Sequence, residues 1–379
     1  MGSNGRYPGR EIIKIYNFFF IFLRRTNLST PLFFKIVIQM NKKKFYILLE
    51  KQINETDFNI FKKSIANIKT RLSLNNKSAN QNDLSFASKD LTQILSSKTL
   101  ERAKYYLRRT LKALTKEKTN KINEINLNRW KEYDDIITDS LWLIGKRDKT
   151  GAHNGAYWGN FVPQIPNQLI KRYTKKNDWV LDTFLGSGTT LIECKRLGRN
   201  GVGVELLSKV VKLAKENIDK ENNPYEIKTE IIKGDSTSIN FKEEIEKLKT
   251  KNFQLVIMHP PYWDIIKFSK NKKDLSNTKT QKEFLKNFGE IVDGVTPVLQ
   301  KGRYLAVVIG DKYSNGEWIP LAFNTMQEVL NRGYKLKSTI VKNFDETKGK
   351  MKQKELWRYR ALAGGFYIFK HEYIFIFQK

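Results

Sequence analysis

From about Trp142 onward, short apolar runs alternate with amphipathic ones, and this alternation restricts the chain to one broad architecture. The runs WVLDTFL (179–185), GVGVEL (201–206), TEIIKG (229–234), FQLVIM (253–258), YLAVVIGD (304–311) and YKLKSTIV (334–341) read as strands. Between them the spacing predicts helices over 188–198, 207–219, 241–249, 281–300 and 318–332. Strands alternating with helices build βαβ units on a parallel sheet covered on both faces. The closing HEYIFIFQK (371–379) is a strand that follows a strand with no obvious helix between, so one antiparallel strand is expected.

Upstream the texture differs. From Asn41 to Ile144 the chain is Lys-rich and holds no proline, and the first glycine is Gly145. Over Leu100–Lys118, helical spacing puts Tyr106 or Leu107, Leu111 and Leu114 on one side and Arg108, Arg109, Lys112 and Lys116 on the other. That basic side is either a solvated helix face or a surface turned to phosphates. With 69 Lys+Arg against 39 Asp+Glu, the formal charge is +30, which points to a polyanionic partner, nucleic acid first.

The single cysteine, Cys194, excludes an internal disulfide and a multi-cysteine metal site, and a reducing, cytoplasmic setting is the default expectation. The run Ile12–Arg25 falls short of the ~20 residues a membrane span needs and is interrupted by Lys14 and Asn17, so no membrane partner is expected. Because Met40 precedes a plausible polar start, residues 1–40 read as an extension, either non-native or disordered. The expected division is then a helical basic region over 41–140, a candidate for DNA recognition, and a larger α/β domain over 141–379.

DTFLGSGTT (182–190) closes the first strand and opens a helix. Gly186 and Gly188 permit a tight turn with close ligand approach, and Thr189 and Thr190 offer hydroxyls and N–H groups at a helix N-terminus. The loop lacks a Walker lysine and the G-x-G-x-x-G spacing. Glu205 ends the next strand, where a carboxylate can accept from two ribose hydroxyls, and Asp235 ends the third, so three successive strands deliver acids to one sheet edge. QLVIMHPPYWD (254–264) then ends a buried strand in a histidine, two prolines and two aromatic rings.

With the glycine turn, Glu205, Asp235 and the Pro-Pro-Tyr corner in hand, residues 140–379 resemble S-adenosylmethionine-dependent DNA methyltransferases that modify adenine N6 or cytosine N4. FVPQIPNQLIKRY (161–173) is similar to the family's cofactor segment ahead of the first strand, with Phe161 and Pro163, and HPPYW to its catalytic corner. Two positions depart from the pattern: Asp182-Thr183-Phe184 stands where Asp-Pro-Phe is usual, and His259 where Asp, Asn or Ser is common. The resemblance implies a Rossmann-like seven-stranded sheet, mostly parallel with one antiparallel strand, and S-adenosylmethionine held by Asp182, Phe184, Gly186, Gly188, Thr189, Thr190, Glu205 and Asp235.

In the arrangement the resemblance implies, the His259 side chain and the Pro260 carbonyl accept from the amino group. The Pro260-Pro261 pair holds that carbonyl stiffly, and Tyr262 stacks on the flipped base with Trp263 extending the platform. No cysteine sits at the corner, so a C5-type covalent route is excluded and no metal is called for. Two basic segments are candidates for DNA contact: 264–280, with Lys267, Lys270, Lys272 and Lys273, and 343–370, with Trp357, Arg358 and Arg360. Double-stranded DNA is the expected partner, and the resemblance implies a restriction–modification or related defence setting with a cognate restriction enzyme as a candidate partner. RNA amino-methylation and a catalytically degenerate binding subunit are the alternative readings.

Overall fold

The computed structural model describes residues 42–75, 84–344 and 354–379. The expected extension over 1–40, its apolar run, and part of the basic segment 343–370 lie outside the described residues. The chain divides into two compact units: one runs to Lys118 and takes back Asn126–Tyr133, and the other comprises Thr119–Ile125 and Asp134–Lys379.

The first unit is helical: α1 (Lys42–Glu50), α2 (Phe58–Asn75), α3 (Ser85–Leu95) and α4 (Leu100–Thr115). Its core joins Phe45 and Leu49 of α1 to Phe61 and Ile65 of α2, with Leu91 of α3 and Leu107 of α4. α4 starts where the Thr99 side chain accepts from the Arg102 N–H at 3.2 Å. It buries Leu107, Leu111 and Leu114 at i, i+4, i+7, the stripe its spacing predicts. Buried Asp90 of α3 draws in Lys131 Nζ at 2.6 Å and accepts from Thr110 Oγ1 at 3.2 Å.

The second unit is built on an eight-stranded sheet, with strands β1 (Leu141–Trp142), β2 (Trp179–Asp182), β3 (Asn200–Glu205), β4 (Thr229–Lys233), β5 (Phe253–Met258), β6 (Leu299–Ile309), β9 (Lys335–Asn343) and β10 (His371–Gln378). The order is β1-β9-β10-β6-β5-β2-β3-β4. β10 runs antiparallel to both β9 and β6, and every other pairing is parallel. Apart from two-residue β1, this is the expected seven-stranded, mostly parallel Rossmann-like sheet.

Residues alternate in and out along each strand, so one face takes Val256, Met258, Leu305 and Val307 and the other Leu255, Ile257, Ala306 and Val308. The first face packs on α9 (Gln281–Val295) and α10 (Leu321–Leu330), the second on α5 (Gln164–Tyr173), α6 (Thr189–Leu197) and α7 (Ser208–Asp219). A further helix, α8 (Phe241–Lys247), lies between β4 and β5, and α11 (Lys354–Gly364) between β9 and β10.

Two helix boundaries differ from expectation by three residues or more. The helix predicted over 281–300 stops at Val295, because Leu299 already pairs with Phe253 in the sheet. The helix predicted from 318 begins at Leu321, because Glu317–Ile319 (β8) pairs with Lys312–Ser314 (β7) across the two-residue turn Asn315-Gly316, both at positive φ. The segment ahead of β2 contains α5, with Pro163 at its N-cap, where a proline costs no helical hydrogen bond.

Candidate active site

The strand order reverses between β2 and β5, and a crevice opens at the carboxyl ends there. Glu205 ends β3, Asp235 follows β4 and His259 follows β5, and all three line one cavity of about 420 Å³. Phe161, Phe184, Gly186, Pro260, Pro261 and Tyr262 share its wall, and Lys273 stands at it as well.

The glycine loop is shaped by the two carboxylates behind and beside it. Asp182 is fully buried, accepting from Thr190 Oγ1 at 2.5 Å and from the Phe184 N–H at 2.9 Å. Burial pushes its carboxyl up to about 6. Gly188 sits at φ 94°, and a Cβ there would come within 3.0 Å of Ile218 on α7, so only glycine fits the turn into α6. Asp182, Gly188, Thr189, Thr190 and Pro163 are not part of the cavity wall, and Thr189 Oγ1 donates to Asn160 Oδ1 at 2.6 Å.

Glu205 accepts from the Gly186 N–H at 3.1 Å on one oxygen and from the Leu207 N–H at 2.9 Å on the other. Each oxygen keeps a lone pair for a further donor. Burial pushes this carboxyl up, and the backbone donors pull it back. Asp235 folds one oxygen onto Thr237, taking its N–H at 3.0 Å and hydroxyl at 2.9 Å. Ser236 Oγ donates to Thr183 O at 2.6 Å, while the Thr183 hydroxyl itself is buried in the wall with no hydrogen-bond partner.

The strap carrying Asn160 and Phe161 is tied down by buried Glu193 of α6. That carboxylate meets His153 Nε2 at 2.6 Å, Asn167 Nδ2 at 2.7 Å and Arg196 Nη1 at 3.1 Å. Asp148, His153 and Glu193 lie close enough to suggest a metal cluster, yet Arg196 already reaches Asp148 at 3.2 Å as well as Glu193. The cation of this cluster is the protein's own.

At the corner, the His259 ring leans on Phe161 with centroids 4.8 Å apart. Burial pushes the imidazole down to about 4. The Trp263 N–H folds back to Pro261 O at 2.8 Å, and among the described residues none donates to Pro260 O. Tyr262 Oη lies 3.2 Å from His259 Nε2 and donates to Glu372 Oε2 at 2.6 Å, and Glu372 Oε1 pairs with Lys342 Nζ at 3.1 Å. Trp263, at φ 51°, is outside the cavity: its indole N–H donates to Thr278 O at 3.1 Å and Lys312 Nζ lies 4.0 Å over its ring.

The basic candidates are mostly in solvent. Lys267, Lys270, Lys272 and Lys273 are exposed, as are Arg358 and Arg360 on α11, where Arg360 lies 5.4 Å over the half-buried Trp357. Arg108 is exposed, whereas Arg109 is half-buried, with Nη2 bonded to Gln93 Oε1 at 2.5 Å.

Sequence reasoning passed over Tyr157, Asn160, Ser236, Lys342 and Glu372, all of which line the cavity. For the last two a signal existed: a charge interrupting a β-rich run, in TIVKN and HEYIFIF.

The donor set fits S-adenosylmethionine. Glu205 offers a carboxylate for paired ribose hydroxyls, and Asp235 and Ser236 offer polar atoms beside it. Phe161, Phe184 and Leu206 supply apolar wall for a base.

A family model described as DNA methylase (N6_N4_Mtase) matches residues 10–216 and 253–379, most of the chain. Among curated relatives, Type II methyltransferase M.MjaII of Methanocaldococcus jannaschii is 29% identical over 130 residues, covering 31% of this chain and 24% of that protein. Type II methyltransferase M2.DpnII of Streptococcus pneumoniae is 35% identical over 100 residues, covering 25% and 34%. A Methanocaldococcus jannaschii protein named for methylation of large-subunit ribosomal RNA is 32% identical over 155 residues, covering 40% and 37%. The chain thus spans well under half the length of each of these relatives. On the family match across its length, together with a sheet and cavity of the kind just described, this chain belongs to the N6/N4 DNA methylase family.

Proposed function

We propose that the protein transfers a methyl group from S-adenosylmethionine to an exocyclic amino nitrogen, cytosine N4 or adenine N6, of a base flipped out of double-stranded DNA. One observation carries this reading: a single cavity is lined at one part by Glu205 and Asp235 and at another by His259 and Pro260. A carboxylate suited to a nucleoside and two acceptor-bearing residues share one half-open cavity.

The bound cofactor supplies an electrophilic sulfonium methyl. The protein's part is to make the amino nitrogen nucleophilic, since its lone pair is delocalised into the ring. His259, kept neutral by burial, and the free Pro260 carbonyl accept the two N–H groups and draw the nitrogen toward tetrahedral geometry. Bound there, the cofactor would supply the methyl with its sulfur leaving as a neutral thioether, and the methylated amino nitrogen would release one proton to solvent water. Tyr262 lines the cavity as the stacking ring. Cys194 is buried and its thiol is pushed up, so direct transfer needs no protein nucleophile.

Exposed Arg108, Arg358, Arg360 and the lysines of 267–273 serve as phosphate contacts in this reading, supported by the +30 charge. The Type II names of two relatives support a restriction–modification setting with a partner nuclease. The relative named for ribosomal RNA favours RNA as the second reading.

The test is transfer of labelled methyl to unmethylated duplex DNA, ribosomal RNA and tRNA in parallel. Label on DNA is expected, and digestion with mass analysis identifies the base. Label on RNA alone overturns the DNA assignment, and cofactor binding without transfer to any substrate leaves a binding subunit.

A further inference from the structure

Glu372 and Lys342 form a register pair at the carboxyl edge of the sheet, where antiparallel β10 begins beside the end of β9. Both are buried charged side chains that line the cavity, and the sulfonium chemistry described above uses neither. They connect to the corner through one hydroxyl. Lys342 Nζ meets Glu372 Oε1 at 3.1 Å, and Glu372 Oε2 takes the Tyr262 hydroxyl at 2.6 Å. The same hydroxyl oxygen lies 3.2 Å from His259 Nε2.

The directions of these bonds follow from proton inventory. A carboxylate paired with an ammonium only accepts, so Glu372 must receive the single phenolic proton. Burial and the neighbouring carboxylate push the Tyr262 phenol well up, which keeps that proton on the oxygen. Toward His259 the hydroxyl therefore has only lone pairs left. A contact at 3.2 Å then requires a proton on Nε2. The imidazole is neutral, so Nδ1 is bare, and no described group bonds it while the ring lines the cavity.

We propose that Glu372, held by Lys342, is a positioning residue that fixes His259 as the Nε2–H tautomer through Tyr262, leaving Nδ1 as the acceptor for the substrate amino group. The tautomer claim stands on the contacts alone. Its catalytic consequence rests on the methyl-transfer reading. An Asp or Ser at this position needs no such device, because a carboxylate or hydroxyl oxygen accepts in any case, whereas an imidazole in the wrong tautomer presents a proton.

Glu372→Gln reverses the relay. Lys342 carries only donors and keeps the amide oxygen on its side, which turns the amide NH2 toward Tyr262. The phenol then donates to His259 Nε2, and the ring proton moves to Nδ1.

The test is a long-range ¹H–¹⁵N spectrum of histidine-labelled full-length protein at neutral pH, with the His259 signals assigned by their absence from His259→Asn. The expected parent pattern is a pyrrole-type Nε2 and a pyridine-type Nδ1, inverted in E372Q; Tyr262→Phe, which cuts the relay and leaves the ion pair, is expected to average the two forms. A parent ring protonated on Nδ1, or a pattern unchanged in E372Q, overturns the proposal. The parent spectrum needs no variant, so refutation does not depend on E372Q folding. Methyl transfer is measured beside it: E372Q is expected to lower kcat about 100-fold with KM for the cofactor little changed. The expected tautomers without any methyl transfer overturn the functional reading alone, and transfer with the wrong tautomer overturns the relay alone.

Discussion

Burial decides the protonation state of His259, and with it what the corner can accept. The imidazole falls from an ordinary value of 6.5 to about 4, chiefly because it is desolvated against Phe161 and Tyr262. Since its folded value lies below the unfolded one, its contribution to stability is present above pH 6.5 and lost as pH falls through about 4. NMR titration is expected to place this ring's midpoint near 4, and methyl transfer to show no acid limb from it between about pH 5.5 and 8. A midpoint at the ordinary histidine value contradicts this. Thr183 is the other unusual residue: its hydroxyl is buried without a partner, so Thr183→Val is expected to raise stability by about 1 kcal/mol in thermal melts. The Asp-Thr-Phe departure was legible in the sequence; that the hydroxyl would be sealed off was not, because its surroundings come from β5 and Ser236, far along the chain.

At the scale of elements, the site depends on how strand ends and one strap are held. Glu193 on α6 satisfies His153, Asn167 and Arg196 at once. Glu193→Ala leaves His153 and Asn167 without this acceptor, while Arg196 keeps Asp148, and is expected to cost about 3 kcal/mol in denaturant unfolding. It is also expected to raise KM for S-adenosylmethionine, since the freed strap carries Asn160 and Phe161. β6 is followed by Gly310, against which the Tyr262 ring lies so closely that a Cβ would stand 2.9 Å from it. Gly310→Ala is expected to lower kcat about tenfold by displacing that ring, with the melting temperature nearly unchanged. The glycine loop and the HPPY corner were readable because each is contiguous and follows its strand. The hairpin at Asn315-Gly316 carried its own turn signal, yet the helical pattern after it masked the two short strands.

For the whole molecule, a formal charge of +30 would make the proposed association with DNA an electrostatic event. Binding is expected to weaken linearly on a log–log plot against salt, and removing exposed Arg108 or Arg358 to reduce that slope by about 1 for each phosphate that is no longer neutralised. An unchanged slope removes that arginine from the interface. The sequence by itself determined the α/β alternation, the one antiparallel strand, the glycine turn, the acids at successive strand ends and the stiff corner, because each is written in local periodicity or a contiguous motif. Only the tertiary structure decided that Asp182 sits behind the loop and Glu205 faces the cavity. It alone brought Lys342 and Glu372 to His259 through Tyr262, because an antiparallel strand returning beside β9 delivers to the same edge a glutamate that lies more than a hundred positions from the corner in sequence.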